Sequence, residues 1–248
     1  MTTLTSESAR RLLRQWDRQQ TAYVAHRENR FTVMLDVLEL HLDSPTPRVL
    51  DLACGPGAIS QRVLAAFPGA TVTAVDYDPV LLRIAALATG VRAIDVDLAA
   101  PGWPSLVGPV DAVLSSTALH WLSPADLLAV YRDAASLLPP GGLLMNADHL
   151  RYDDRSPALR AVSERHDART QADDFAAGAL DYAGWYELAA AEPELAALMP
   201  VREKRFADRP PQPLAPLEFH LAALRAAGFR ETGTVWQYLD DYVVFARK

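Results

Sequence analysis

The feature that most constrains the fold is an apolar segment, residues 49–52, that leads into a turn containing Gly55 and Gly57. A helix-like segment, residues 58–67, follows this turn directly. Glycine lets the backbone turn tightly and approach a ligand where a Cβ would collide, and the positive end of the next helix then faces that ligand. The pattern therefore predicts a strand–turn–helix unit with a ligand site at its turn.

An acidic residue follows this unit at an informative distance. Residues 71–75 form a second apolar segment that ends at Asp76, nineteen residues after Gly57. An acid about 20 residues beyond a glycine turn, at the tip of the next strand, is placed to bind a ribose diol. The chain is therefore expected to bind an adenosine-containing cofactor, either NAD or S-adenosylmethionine (SAM). A dinucleotide site favours a further glycine three positions after Gly57, where this chain has Ser60.

Composition and charge narrow the class of protein. The chain has 248 residues, half of them hydrophobic, which suffices for one domain with a sizeable insertion. A formal net charge of −7 argues against a nucleic-acid partner. Apolar runs fall short of the roughly 18–20 residues of a membrane span, and the first residues lack the apolar core of a secretory signal. The single cysteine, Cys54, excludes an internal disulfide. These features predict a cytoplasmic globular protein without a membrane partner.

The middle of the chain alternates between strand-like and helix-like segments. The strand-like segments are residues 48–53, 71–76, 91–96, 111–116 and 143–148. The helix-like segments between them are residues 58–67, 79–88 and 124–137. Asp78 before Pro79, and Ser123 before Pro124, look like helix caps followed by proline at the first helical position. This alternation predicts a parallel sheet with helices on both faces.

The two ends of the chain and residues 151–215 follow other patterns. Residues 5–42 look like one helical section, and the strand–helix alternation stops after residue 150. Helical pieces at residues 157–169 and 185–198 then lead to the proline-rich stretch 209–216. A helix at 217–227 and two antiparallel strands at 231–238 and 242–247 are expected to close the fold. The predicted division is a helical lid (1–45), a core (46–150), a helical cap (151–215) and a segment that completes the core (216–248).

The pattern Asp51-x-Ala53-x-Gly55-x-Gly57 resembles motif I of the class I SAM-dependent methyltransferases. The family usually has glycine where this chain has Ala53. The resemblance implies a Rossmann-like, doubly wound α/β fold with a seven-stranded sheet whose last strand is antiparallel, plus a helical cap. It also implies SAM as the cofactor and S-adenosylhomocysteine (SAH) as its product.

The same resemblance suggests which residues contact the cofactor. Asp97 and Leu98 follow the third predicted strand, where the family's acid commonly contacts the adenine amino group; a solvated turn aspartate is the alternative. Tyr77 could pack on the adenine face or form part of the rim. The predicted cofactor-binding set is Asp51, Ala53, Gly55, Gly57, Asp76, Tyr77, Asp97, Leu98, Ser115 and Tyr23.

Residues 111–122 resemble the fourth-strand segment of small-molecule methyltransferases that act on trans-aconitate or malonyl thioesters, which often carry His-Trp here. The resemblance implies that His120 and Trp121 lie near the methyl acceptor. His120 and His149 both follow strand tips and are the candidates for a catalytic general base, with a packing role as the alternative for each.

Aromatic and arginine side chains outside the core are candidates for the acceptor pocket. Tyr23 and Arg27 are one helical turn apart, so a continuous helix would present them on one face. Arginine could hold an acceptor carboxylate bidentately. The predicted acceptor-binding residues are Arg27, Trp121, Trp185 and Tyr186. Core packing between lid and domain is the alternative for these residues, and no metal-ligand spacing is recognisable.

The predicted function is SAM-dependent methyl transfer to an oxygen, nitrogen or carbon atom of a small molecule, including a carboxylate or a natural-product intermediate. One alternative is a SAM-binding protein that does not methylate and serves as a partner subunit or in other chemistry. An RNA or protein methyltransferase is opposed by the acidic charge, and an NAD-dependent oxidoreductase by Ser60. The oligomeric state stays open.

Overall fold

The computed structural model describes residues 3–208, 210–213 and 215–248. Within them, the strands are β1 (Arg48–Leu52), β2 (Thr71–Asp76), β3 (Arg92–Asp95), β4 (Ala112–Ser116), β5 (Leu143–His149), β6 (Glu231–Tyr238) and β7 (Asp241–Arg247). The helices are α1 (Ser6–Thr21), α2 (Arg27–His41), α3 (Ala58–Ala66), α4 (Pro79–Thr89), α5 (Pro104–Val107), α6 (Pro124–Leu137), α7 (Pro157–Ala176), α8 (Tyr182–Ala190), α9 (Pro193–Ala196), α10 (Met199–Phe206) and α11 (Leu217–Ala226).

The strands of the described residues form one seven-stranded sheet in the order β3-β2-β1-β4-β5-β7-β6. Strands β1 to β5 pair in parallel, and β7 runs antiparallel to both β5 and β6. The predicted α/β fold with an antiparallel last strand is confirmed. The chain winds outward from β1 to β3 and then returns to place β4 on the other side of β1. Such a reversal opens a crevice at the carboxyl ends of the two central strands, where ligands of open α/β sheets bind.

The sheet is buried on both faces because alternate residues of each strand point to opposite sides. On β1, Leu50 and Leu52 belong to the hydrophobic core beneath α6 and α11. Val49 belongs to the core on the other face, together with Phe31 of α2 and Val63 of α3. This two-sided burial explains why the parallel strands appear in the sequence as apolar runs.

Helix starts in the core follow their predicted caps. Asp78 accepts hydrogen bonds from the amides of Val80 and Leu81 at the start of α4, and proline occupies the first helical turn. Ser123 caps α6 in the same way by accepting from the Asp126 amide. These caps fix the loops that follow β2 and β4, so the loops meet at one edge of the sheet.

The prediction of one helical section over residues 5–42 is wrong in one respect. The chain breaks into α1 and α2, and residues 22–26 form a turn between them. His26 has a left-handed φ of 52°, which no continuous α-helix accommodates. Tyr23 therefore precedes α2 while Arg27 begins it, so the two residues do not share the face of one helix as predicted.

Residues beyond β5 are helical, as their sequence predicts, but differently divided. Helix α7 runs seven residues past the predicted end at Arg169, and the segment predicted at 185–198 divides into α8 and α9. Two positions of the predicted proline-rich stretch, Arg209 and Leu214, lie outside the described residues. None of the described helices combines the length and apolar character needed to cross a membrane.

Candidate cofactor and acceptor site

A cavity of about 920 Å³ opens at the carboxyl edge of the sheet. Its walls come from the loops after β1, β2, β3, β4 and β5, from the turn between α1 and α2, and from α8 and α10. Thirteen predicted site residues line it: Tyr23, Arg27, Asp51, Ala53, Gly55, Asp76, Tyr77, Asp97, Leu98, His120, Trp121, His149 and Tyr186.

The glycine turn exposes backbone to this cavity. Ala53 and Gly55 both adopt left-handed conformations, with φ values of 56° and 54°. A Cβ added to Gly55 would meet no atom within 4 Å, so the space beside it is open to a ligand. The Gly55 amide donates a 2.7 Å hydrogen bond to Asp76 Oδ2, which ties the turn to the tip of β2. The turn is therefore held open around a shallow cradle.

Gly57, whose contact with the cofactor is also predicted, is not among the residues that line the cavity. A Cβ at this position would lie 3.2 Å from Ala85 Cβ and 3.2 Å from Thr89 Cγ2. Its φ of 93° is also left-handed. Gly57 therefore allows α3 and α4 to pack closely, and ligand approach does not require it.

Asp51 is buried beneath the turn and supports the start of α3. Its Oδ2 accepts from the Ser60 amide at 2.9 Å and from the Ser60 hydroxyl at 2.6 Å. Because the residue before α3 is Gly57, which has no capping side chain, this carboxylate satisfies a free helix amide in its place. Burial raises the pKa of Asp51 to about 7, although the bonds from Ser60 oppose that shift. Its Oδ1 is buried without a partner in the described structure.

Asp76 lies at the tip of β2 beside the glycine turn. Its Oδ1 accepts from the Asp78 amide at 2.8 Å, while Oδ2 accepts from Gly55. Burial raises the pKa of this carboxyl to about 6 despite these hydrogen bonds. Each oxygen keeps a second lone pair, so the carboxylate can still accept hydroxyl donors from a ligand in the cavity.

The outer end of the cavity is formed by the tips of β2 and β3. Tyr77 and Leu98 present apolar surface there, and Asp97 is exposed. Asp97 Oδ1 accepts from the Ala99 amide at 2.9 Å, which leaves its other oxygen available at the cavity wall. Tyr77 contacts Phe206 of α10 edge-to-face, with ring centroids 5.6 Å apart.

Helix α10 is fixed over this end by two arginines that sequence analysis missed. Arg202 Nε donates to Asp78 Oδ2 at 2.7 Å, and Arg205 makes a bidentate pair with Asp95 at 2.8 Å. The hydroxyl of Tyr186, on α8, also donates to Asp78 Oδ2 at 2.7 Å. The Arg202–Glu203–Lys204–Arg205 run looks like a solvated face in the sequence, yet its two arginines join the cap to the sheet edge.

His120 lies at the inner end of the cavity, in the 3₁₀ turn after β4. Its Nδ1 lies 2.6 Å from Oδ1 of Asp148, and its amide donates to Oδ2 of the same carboxylate at 3.1 Å. Burial alone would raise the pKa of Asp148, but the nearby His120, His149 and Arg30 hold it well below its usual range. An ionised Asp148 favours a proton on Nδ1 of His120, and a neutral ring with that tautomer has Nε2 as its acceptor.

A second histidine, His149, follows β5 and also lines the cavity. Its Nδ1 lies 2.8 Å from Asp241 Oδ1, though without hydrogen-bond geometry. Asp241 also receives Arg30 Nη1 at 3.1 Å, and burial lowers the pKa of that arginine to about 10. Arg30 further donates to the hydroxyls of Ser116 and Thr117, which anchors α2 to the end of β4.

The N-terminal turn supplies the remaining wall. Tyr23 contacts Tyr182, with ring centroids 4.8 Å apart, and Phe175 of α7 at 5.6 Å. Arg27 is buried, and its Nη1 donates to Asp17 Oδ1 at 2.6 Å. The predicted Trp121 lines the cavity beside His120, with ring centroids 5.3 Å apart.

Two further predicted residues, Ser115 and Trp185, are not among the residues that line the cavity. The Ser115 hydroxyl donates to the Leu52 carbonyl at 2.8 Å and joins β4 to β1. Trp185 is fully buried between α1 and α4, and its Nε1 donates to the Leu12 carbonyl at 3.2 Å. Both positions are therefore structural, and the core-packing alternative holds for Trp185.

The described residues contain no group of three or more histidine, cysteine, aspartate or glutamate side chains placed to hold a metal ion. They do fit a SAM-sized ligand. The open space beside Gly55 and the carboxylate of Asp76 face one cavity, and the unpartnered Oδ1 of Asp51 is buried in its wall. These groups suit a ligand with a ribose diol and a positive charge.

Comparisons with known proteins agree with the fold. Residues 49–142 match the sequence family described as "Methyltransferase domain". The ubiquinone biosynthesis O-methyltransferase of Xanthomonas campestris pv. campestris is 34% identical over 154 residues, which covers 60% of each chain. The trans-aconitate 2-methyltransferase of Streptomyces avermitilis is 30% identical over 162 residues, 62% of this chain and 58% of the relative. The chain thus spans about 60% of the length of these curated relatives.

Solved structures share the fold at low sequence identity. Human N-acetylserotonin methyltransferase in complex with SAM aligns with a TM-score of 0.58 and 16% identity, over 98% of this chain and 56% of that one. An O-methyltransferase family protein from Burkholderia thailandensis aligns with a TM-score of 0.55 and 20% identity, over 87% of this chain and 55% of that one.

The sheet order and the glycine turn define the class I methyltransferase fold, whose cofactor is SAM. Residues 49–142, which match the methyltransferase domain, contain the glycine turn and strands β2 to β4 of this fold.

Proposed function

We propose that this protein transfers the methyl group of SAM to a hydroxyl oxygen of a small, uncharged acceptor. The observation that carries the proposal is the His120–Asp148 pair, which lines the same cavity as Gly55 and Asp76. One cavity thus combines a cofactor cradle with a candidate proton acceptor. A hydroxyl acceptor needs such a base, whereas a carboxylate acceptor does not.

The cofactor residues have distinct proposed roles. Asp76 accepts the ribose hydroxyls, and the open space beside Gly55 admits the rest of the cofactor. Asp97, Leu98 and Tyr77 hold the adenine end, beneath α10. Asp51 maintains the turn from below, and its free Oδ1 favours the positive charge of the cofactor. Tyr23 closes the cavity from the N-terminal side, as part of a lid.

His120 is the proposed general base. Asp148 holds the ring so that Nε2 receives the acceptor proton while the acceptor oxygen forms its bond to carbon. Bound SAM supplies an activated methyl group whose sulfonium sulfur takes the electron pair of the broken carbon–sulfur bond. The enzyme's main contribution is then to align the reacting atoms and exclude water, which the loop after β4 and the cap helices serve.

The charges in the cavity favour an uncharged acceptor. Among the described residues, four arginines line the cavity, and each is paired with a carboxylate: Arg27 with Asp17, Arg151 with Asp167 and Asp240, Arg202 with Asp78, and Arg205 with Asp95. An acceptor carboxylate would have to compete with these ion pairs. Lys204 lies at the cavity wall, and its side chain is exposed to solvent. A contact between Lys204 and an anionic group of the acceptor would therefore form at that exposed part of the wall. The name of the Xanthomonas relative, an O-methyltransferase, agrees with transfer to oxygen.

The test is methyl transfer from labelled SAM to a panel of small hydroxyl and carboxyl compounds. His120→Ala should lower kcat by about 100-fold or more while the SAM dissociation constant stays close to that of the wild type. His41→Ala is the matched control, because His41 bonds the Gly141 carbonyl at the far end of the sheet. Tight SAM binding without transfer to any compound would favour the non-methylating alternative.

A further inference from the structure

The cavity contains two histidines of similar placement, and methyl transfer to one hydroxyl uses only one of them. His120 and His149 both line the cavity, with ring centroids 6.3 Å apart. Each has a buried aspartate at its Nδ1: Asp148 at 2.6 Å from His120 and Asp241 at 2.8 Å from His149. We infer that the second pair, His149–Asp241, binds a second hydroxyl group of the acceptor. This inference rests on the proposed function.

The carboxylates determine what each ring offers to a ligand. An ionised carboxylate near Nδ1 favours the proton on that nitrogen, so Nε2 of the neutral ring is a hydrogen-bond acceptor. Arg30 is fully buried and pairs with Asp241 at 3.1 Å, which holds this carboxylate in place beside the His149 ring. Charged and titratable groups near His149 include His120, Asp148 and Asp241, and Arg30 pairs with Asp241. The cavity is therefore lined by two imidazole rings, each of which offers Nε2 as an acceptor when its proton is on Nδ1.

Two acceptor nitrogens at one place match a ligand with two hydroxyl donors. One hydroxyl gives its proton to His120 in the reaction, and the other donates a hydrogen bond to His149. A planar ring with two adjacent hydroxyls presents both donors at fixed spacing and loses little entropy on binding. The aromatic side chains of Tyr23, Tyr186 and Trp121 in the same cavity suit such a ring.

His149 is accordingly assigned as a specificity-determining residue. It binds the acceptor and does not take the reacting proton. Replacing the His149 side chain should weaken the binding of dihydroxy acceptors and leave the binding of monohydroxy acceptors nearly unchanged. If His149 had only a structural role, the binding of both kinds of acceptor would weaken equally.

The experiment measures binding of catechol and phenol to the SAH complex of the whole chain by calorimetry. The wild type should bind catechol about tenfold more tightly than phenol, as expected for one added hydrogen bond. His149→Ala should remove that preference, and His149→Gln, whose side-chain oxygen can accept in place of Nε2, should restore part of it. His41→Ala should leave the preference intact.

Two results would overturn the inference: a wild type that binds catechol no better than phenol, or an His149→Ala variant that keeps the full preference. Neither result bears on methyl transfer itself, because the readout is equilibrium binding without the methyl donor. Failure of the proposed function would instead appear as absent transfer from labelled SAM, or as His120→Ala activity equal to the wild type.

Discussion

Asp148 Oδ1 lies 2.6 Å from His120 Nδ1; Asp148 is on β5, and His120 is in the 3₁₀ turn that follows the neighbouring strand β4. The carboxylate is fully buried and also accepts from the amides of His120 and His149. It therefore holds the imidazole in one orientation, with Nε2 as the free nitrogen. Asp148 acts through His120 and is a positioning residue.

Asp148→Asn should lower kcat by about 100-fold, because the amide no longer fixes the tautomer that leaves Nε2 unprotonated. The KM for SAM should change little, since Asp148 lies at the acceptor end of the cavity. Steady-state kinetics across a pH range would check both expectations. Asp111→Asn is the control. It removes the ion pair between Asp111 and Arg48 at the opposite end of the sheet, and its kcat should equal that of the wild type. Equal losses in both variants would contradict the positioning role.

Gly55→Ala should abolish tight SAM binding, because the added methyl group enters the space where the cofactor is proposed to lie. Gly90→Ala is a matched control. Gly90 also has a left-handed φ, 77°, and a Cβ added there would meet no atom within 4 Å. Gly90 follows the end of α4 and does not line the cavity. Both variants should lose about 1 kcal/mol of unfolding free energy from backbone strain. Calorimetry should find weakened SAM binding in Gly55→Ala alone. Equal SAM affinities in the two variants would contradict the cradle.

SAM binding should release protons near neutral pH. Burial raises the pKa of Asp76 to about 6 and that of Asp51 to about 7, so part of each carboxyl is protonated there. A positively charged ligand with hydroxyl donors favours the ionised forms, so affinity should rise between about pH 5 and about pH 8. Calorimetry in two buffers of different ionisation enthalpy measures the proton count. Proton uptake on binding would contradict this assignment.

The same pKa shifts affect the stability of the unliganded protein in the opposite direction: SAM affinity should rise with pH, whereas stability should fall. Both folded-state pKa values lie above the unfolded value of about 4, so the native state holds more protons between these limits. The contribution of these two groups to stability should therefore fall as the pH rises from about 4 through about 7. In Asp51→Asn, the unfolding free energy from denaturant titrations should decline less with rising pH. A dependence of the unfolding free energy on pH equal to that of the wild type would count against the raised pKa of Asp51.

Ala53→Gly should stabilise the protein by about 0.5–1 kcal/mol, because Ala53 has a left-handed φ of 56° that glycine adopts without penalty. Ala65→Gly, at an exposed position inside α3, should instead destabilise by about 1 kcal/mol. Urea unfolding of both variants gives the comparison. Destabilisation of Ala53→Gly to the extent of Ala65→Gly would show that the alanine methyl group matters more than its backbone strain.

The core of the fold could be predicted because its signals are local. Strand β2 and helix α6 have their predicted bounds, since an apolar run and a cap–proline pair mark them directly in the sequence; β6 also has its predicted bounds. The break between α1 and α2 could not be predicted. Residues 22–26 contain no glycine or proline, and the left-handed conformation of His26 leaves no trace in the sequence.

The site was predictable where chain order places residues at strand tips, as for Asp76 and His120. Asp148 was missed because it is 28 residues from His120, and only the pairing of β4 with β5 brings them together. The arginines of α10 were missed for a similar reason: their partners, Asp78 and Asp95, are more than 100 residues away in the chain. Trp185 shows the converse, since an aromatic residue in a cap can equally belong to the core.

The most direct test of the account is a crystal structure of the SAH complex, in which the distance between the ribose hydroxyls and the Asp76 carboxylate is measured. We predict hydrogen-bond distances between the ribose hydroxyls and the Asp76 carboxylate. The rest of the ligand should lie beside Gly55, with its sulfur atom towards His120. SAH bound elsewhere, or a ribose out of reach of Asp76, would contradict the account.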